Sequence, residues 1–155
     1  MEIDSRYVSP MLMWALALSG AVLIGFFTPP IAVFAKGPLT DMAAALLFLN
    51  WVGFYLLGLW QNREAESSVA NLKKLHTSGL YSLARHPLYF SDMGLTTAMF
   101  LYMTTLNFML PAVYIIAVLY LWSGLEEDAL LKKFGKKYAD YQKRVPRFIP
   151  LPPWA

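Results

Sequence analysis

Residues 93–125 read MGLTTAMFLYMTTLNFMLPAVYIIAVLYLWSGL, 33 residues without an Asp, Glu, Lys or Arg. As one helix rising 1.5 Å per residue, this run would reach about 50 Å, well past a hydrocarbon core of roughly 30 Å. It is therefore expected to fold back as a hairpin turning around Thr105 to Pro111. Two further uncharged runs precede it, Tyr7 to Ala35 and Met42 to Asn62, each at or above the ~20 residues that cross a bilayer as a helix. Together they predict an all-α fold, a polytopic membrane helical bundle of about four transmembrane helices. These lie near Pro10 to Phe27, Thr40 to Trp60, Asp92 to Thr105 and Leu110 to Trp122. Pro29-Pro30 stop the first helix, and Thr40-Asp41 offer N-cap chemistry to the second.

The composition agrees: 57% of the 155 residues are hydrophobic and 15% charged, where a soluble domain carries roughly 25% charged residues. With no cysteine, disulfides, thiolate metal sites and cysteine nucleophiles are excluded. The net charge of +3 is placed for a bilayer and not for nucleic acid. In a four-span topology both termini share one side, and that side carries 12 of the 13 Lys and Arg residues; only Lys36 lies opposite. The positive-inside bias then puts both termini and residues 61–91 in the cytoplasm of an inner or plasma membrane. Glu2 and Asp4 beside Arg6 argue against a cleaved signal peptide, so the first helix is expected to be retained.

Within the spans, Ala17, Ala21 and Gly25 form a small-residue seam for a close helix neighbour, and Asn50 is expected to make an interhelical hydrogen bond. Trp14, Trp51, Trp60 and Trp122 include positions where interfacial aromatics sit. Two polar segments remain. Ala65, Val69, Leu72 and Leu75 follow helical spacing, predicting an amphipathic cytoplasmic helix over Asn62 to Leu75, ended by Thr77-Ser78-Gly79. In the other, Glu126-Glu127 lead a helix with Leu130, Leu131, Phe134, Tyr138 and Tyr141 on one face, and Pro146 and Pro150 fix an extended tail. Lys132, Lys133, Lys136 and Lys137 suit anionic lipid head groups. The chain reads as a single domain, 1–155, with a helix pair over 1–60 and a functional core over 61–155. No metal is implied, because His76 has no second His or carboxylate at ligand spacing.

The motifs lie in these polar segments. Gly79-Leu80-Tyr81, Arg85-His86-Pro87-Leu88-Tyr89, a hairpin, Glu126-Glu127, Phe134-Gly135, Tyr138, Tyr141 and Val145-Pro146-Arg147-Phe148-Ile149-Pro150 follow in order. This series resembles the isoprenylcysteine carboxyl methyltransferase and phospholipid methyltransferase superfamily, in its small bacterial or archaeal form. The resemblance spans about half the chain, from Lys73 to Pro150. It implies S-adenosyl-L-methionine as cofactor and methyl transfer to a lipophilic small-molecule or lipidated acceptor entering from the bilayer. A prenylcysteine carboxylate comes first among acceptors and a phosphatidylethanolamine amine second. On the family pattern Glu126, with Glu127 second, accepts from the cofactor ribose, and Lys73, Lys74, Leu75 and His76 frame its adenine. Arg85, His86 and the backbone of Pro87, Leu88 and Tyr89 meet its amino-acid end, and Tyr81 lines the same pocket.

No acid or base stands out; Tyr89 and Asp92 are the candidates, and Asp92 also has the place of an N-cap for the third helix. Two positions depart from the pattern. Trp122 stands where eukaryotic-type prenylcysteine methyltransferases carry an arginine, and Ser91 stands where a glycine often follows the motif tyrosine. Two rival classes stand beside it: an NADPH-dependent sterol-reductase-like protein, whose class shares a similar carboxy-terminal pattern, and a non-catalytic membrane module that kept the fold and lost the active site.

Overall fold

The computed structural model describes residues 8–61 and 68–149. Among these it is all-helical: α1 (Pro10–Phe27), α2 (Pro38–Gln61), α3 (Pro87–Met103), α4 (Leu106–Phe134) and α5 (Lys136–Gln142), with two short 3₁₀ turns at Val69–Asn71 and Gly79–Ser82. Helices α1, α2 and α4 are long and apolar enough to cross a membrane, whereas α3 has 17 residues.

Local chemistry explains the ends. Ser9 caps α1 by accepting from the Leu12 N–H at 3.3 Å, with Pro10 at the first helical position, where its missing N–H costs nothing. Pro87 starts α3 in the same way, five residues ahead of the expected start, so Asp92 lies inside the helix and does not cap it. The hairpin turns at Thr104, whose φ of 56° is left-handed, and Thr105. Pro111 lies inside α4 instead of in the turn, at the sixth helical position, where it forfeits the backbone bond to the Asn107 carbonyl. The turn is held by the α1–α2 loop: Val33 N–H donates to the Thr104 carbonyl and Leu106 N–H to the Ile31 carbonyl, both at 2.8 Å. Helix α4 is 29 residues long because it carries on past its apolar stretch into the polar residues from Glu126 to Lys133.

The expected amphipathic helix over Asn62 to Leu75 is not formed beyond Val69–Asn71, and residues 62–67 lie outside the described residues. The reason lies in the competing acceptor demand. Lys133 Nζ takes the Val69 and Ala70 carbonyls at 2.9 and 2.6 Å, the acceptors that a continuing helix would use. Arg6, Arg63 and Pro150, which entered the charge-bias and tail readings, also fall outside the described residues.

The helices pack as a row: α1 on α4, α4 on α3 and α3 on α2, without substantial packing of α1 on α2. The predicted seam on α1 faces α4. Ala17 is fully buried, Ala21 packs on the core, and a Cβ on Gly25 would lie 3.2 Å from the Asn107 carbonyl. That carbonyl is the one that Pro111 leaves without its helical donor. Asn50 differs from expectation: it is exposed on α2 and no hydrogen bond to it is found among the described residues. The core joins Met13, Ala17, Ile115, Val118 and Leu119 to Tyr89. Much of the outer surface of α1 and α2 is apolar and exposed, as a lipid-facing surface is.

Candidate active site

The site forms at one end of the row, where the start of α3, the polar end of α4, α5 and residues 145–149 converge. Its frame is a clasp around Glu127, which is 4% exposed. Glu127 Oε1 receives Arg85 Nε at 2.9 Å and Arg147 Nε at 3.1 Å, and Oε2 receives Arg147 Nη2 at 2.7 Å. His86 Nε2 lies 3.2 Å from Oε1, and the Gln142 amide donates to Oε2 at 3.3 Å. Arg85 Nη1 donates to the Gln142 and Val145 carbonyls at 2.8 and 3.0 Å. The backbone joins in: Arg85 and His86 N–H groups donate to the Pro146 and Arg147 carbonyls, both at 2.9 Å. The hydrogen bond to Glu127 holds the Arg147 guanidinium above its ordinary pKa.

Glu126 faces the other way. Its Oε1 accepts from the Tyr89 hydroxyl at 2.6 Å, and its Oε2 lies 3.5 Å from His86 Nδ1. His86 thus stands between the two carboxylates, stacked on the Tyr89 ring with centroids 5.4 Å apart and planes 12° from parallel. Phe148 also packs against it, with ring centroids 5.9 Å apart.

Beside this pair lies a cavity of about 100 Å³. It brings together Lys74, Leu75, His76 and Tyr81 from the connecting segment with Arg85, His86, Pro87, Leu88 and Tyr89 from the start of α3, and Glu126 from α4. Lys73 and Glu127 are not on its wall; Glu127 is consumed by the clasp. Asp92 sits one helical turn along α3, accepting from Trp51 Nε1 at 2.9 Å. Sequence reasoning placed Tyr138 and Tyr141 on an apolar helix face and missed that both line the cavity. Burial pushes both phenols well above the ordinary tyrosine range, so they remain protonated donors. The Tyr141 hydroxyl donates to the Tyr81 carbonyl, whereas the buried Tyr138 hydroxyl has no partner among the described residues. Their i, i+3 spacing beside Gly135, whose φ of 53° ends α4, was the available signal.

A second cavity, about 390 Å³, opens between α1, α2 and α3. Leu88 and Tyr89 line both cavities.

Over 128 residues the chain is 29% identical to the Delta(14)-sterol reductase TM7SF2 of the mouse, Mus musculus, an alignment covering 70% of this chain and 30% of that protein. The chain therefore spans under a third of its relative's length. No solved structure matches it. The profile of a family described as proteins of unknown function, DUF1295, matches residues 8–145. These findings overturn the resemblance to isoprenylcysteine and phospholipid methyltransferases, and with it S-adenosyl-L-methionine as cofactor. The physical reason is that much of the quoted motif builds the clasp: Arg85, Glu127, Pro146 and Arg147 hold backbone and charge together, a demand independent of which reaction the neighbouring cavity serves. The chain is an integral membrane protein of helical type, akin in sequence to a sterol reductase. Since the matching profile takes in all but the ends of the sequence, the protein belongs to the DUF1295 family.

Proposed function

We propose that the protein is a membrane reductase that saturates a carbon–carbon double bond of a sterol-like lipid, with NADPH as reductant, and that the Tyr89 end of the bundle faces the cytoplasm. The observation that carries the reading is the position of Tyr89. Its ring lines both the cavity at the polar end of α4 and the cavity between α1, α2 and α3, and its hydroxyl is held by Glu126 at 2.6 Å. A reduction of this class needs a water-soluble reductant and a lipid to meet, and one side chain lining two cavities, one beside the polar segments and one among the membrane helices, provides the meeting point. The similarity to a mouse Delta(14)-sterol reductase supports the same class.

The residues fit a nicotinamide dinucleotide. Such a cofactor presents phosphates and ribose hydroxyls, which call for cations, donors and carboxylate acceptors. The cavity beside Glu126 offers exposed Lys74 at its rim, the unpartnered Tyr138 hydroxyl and the Glu126 carboxylate. At about 100 Å³ it is sized for one end of the cofactor, with the open surface beside Lys74 left for the rest. When bound, the cofactor supplies hydride. The chain's own part is to hold a proton in the hydrogen bond from the Tyr89 hydroxyl to Glu126, to fix that pair through the stacked His86, and to keep water from the junction with Phe148 and the core.

The test uses the full chain in lipid nanodiscs with NADPH and a panel of ring-unsaturated sterols, following NADPH consumption and product mass. Gain of two hydrogens by one panel member is expected, and Tyr89→Phe should slow it by about 10²-fold or more, the usual loss with a general acid. A folded protein that reduces no member of the panel would sink the proposal.

A further inference from the structure

The row of helices leaves α1 and α2 apart, and the second cavity fills that gap. Its walls are Met11 and Trp14 from α1, Tyr55 from α2, and Leu88 and Tyr89 from α3. One carboxylate stands among them: Asp92, 5% exposed. Trp51 Nε1 donates to its Oδ1, and no ion pair to it is found among the described residues. An acid buried among apolar helices is expensive, and such residues mark functional sites. One indole N–H also meets only one of the roughly four acceptor positions a carboxylate offers. The remaining capacity borders a cavity that Asp92 itself lines and that is otherwise aromatic and aliphatic.

We infer that this cleft binds a lipid alcohol with a rigid ring body, entering from the bilayer between α1 and α2, and that Asp92 accepts a hydrogen bond from its hydroxyl. The volume of about 390 Å³ suits a fused-ring skeleton. The aromatic faces of Trp14 and Tyr55 suit a flat apolar body better than a mobile acyl chain. A neutral hydroxyl is favoured over other polar heads because it gives the carboxylate its donor at the smallest desolvation cost. A lipid carboxylate or phosphate would instead face like charge. The inference rests on the proposed reductase activity for the chemistry that follows binding, not for binding itself.

The test measures binding of a fluorescent sterol alcohol to the full chain in nanodiscs, against its methyl ether, its ketone and its amine analogue, with NADPH titrated in parallel. The alcohol should bind saturably and about tenfold more tightly than ether or ketone, the difference one buried hydrogen bond makes. Asp92→Leu should bring alcohol, ether and ketone together. Asp92→Asn, which keeps an acceptor for Trp51 and so guards against a folding artefact, should narrow the alcohol–ketone gap, because its amide can donate to the ketone. Equal binding of alcohol and ether by the unmodified chain, unchanged selectivity in Asp92→Asn, or tighter binding of the amine would overturn the assignment. Loss of NADPH binding with alcohol selectivity intact would instead sink the reductase reading and leave the cleft standing.

Discussion

Glu126 and Glu127 are neighbours on α4, yet they belong to two regions with different tasks. Around Glu127 the bonds are many: two arginines, a histidine and a glutamine close on one buried carboxylate, and the 145–147 segment ties in through its backbone. Around Glu126 the bonds are fewer, and the groups they hold, Tyr89 and His86, border open space. One region is saturated and the other keeps unused capacity in the Tyr138 hydroxyl and the cavity beside it. Saturation is what a structural joint needs, and spare capacity is what a ligand site needs. Two adjacent acids in a motif can therefore have unrelated roles, separated only by which side of the helix they leave.

The largest effect that would break this contrast comes from Glu127→Ala. It strands Arg85 and Arg147 and should cost about 3–5 kcal/mol, the usual result of removing one partner of a buried ion pair. In practice the variant should lose most folded yield in detergent, read by size-exclusion profile and thermal melt. Glu126→Gln, by contrast, should melt within about 1 kcal/mol of the parent while losing at least tenfold in NADPH affinity. If the two variants behaved alike, the division between joint and site would be wrong.

A smaller effect sharpens the joint. Gly79 has φ +64°, and a Cβ there would run into the Gln61 side chain, which accepts from the Leu80 N–H at 2.7 Å. Gly79→Ala should cost about 1–2 kcal/mol by thermal melt, from the left-handed backbone and the displaced glutamine. The smallest effect is on pH. Burial raises the Tyr138 and Tyr141 phenols in the folded state, so the stability they lend is complete below the ordinary tyrosine pKa of about 10 and is lost as pH climbs above it. Melting temperature should be flat in this respect up to about pH 10 and fall beyond it, and Tyr138→Phe should shallow that fall.

The sequence was legible wherever one physical rule dominated. Helix α1 begins and ends where Pro10 and the residues after Phe27 dictate, and the uncharged 93–125 run does fold back as a hairpin. It was less legible where tertiary demand competed with pattern. Lys133 could not be foreseen drawing the Val69 and Ala70 carbonyls out of a helix, because that contact crosses more than sixty residues. The motif residues were read as one cofactor site, and most of them do gather at one cavity. Which of them form the clasp depends on the return of Pro146 and Arg147 to the backbone of Arg85 and His86, and spacing alone does not reveal that pairing. The motif likewise could not separate methyl transfer from reduction, since much of it builds the joint.

The most direct test of the account is a calorimetric titration of NADPH into the detergent-solubilised full chain, alongside Glu126→Gln and Asp92→Leu. Saturable binding that is weakened in Glu126→Gln and unchanged in Asp92→Leu is the predicted result, because the two acids line different cavities across the Tyr89 wall. No binding by a folded sample, or equal weakening in both variants, would contradict it.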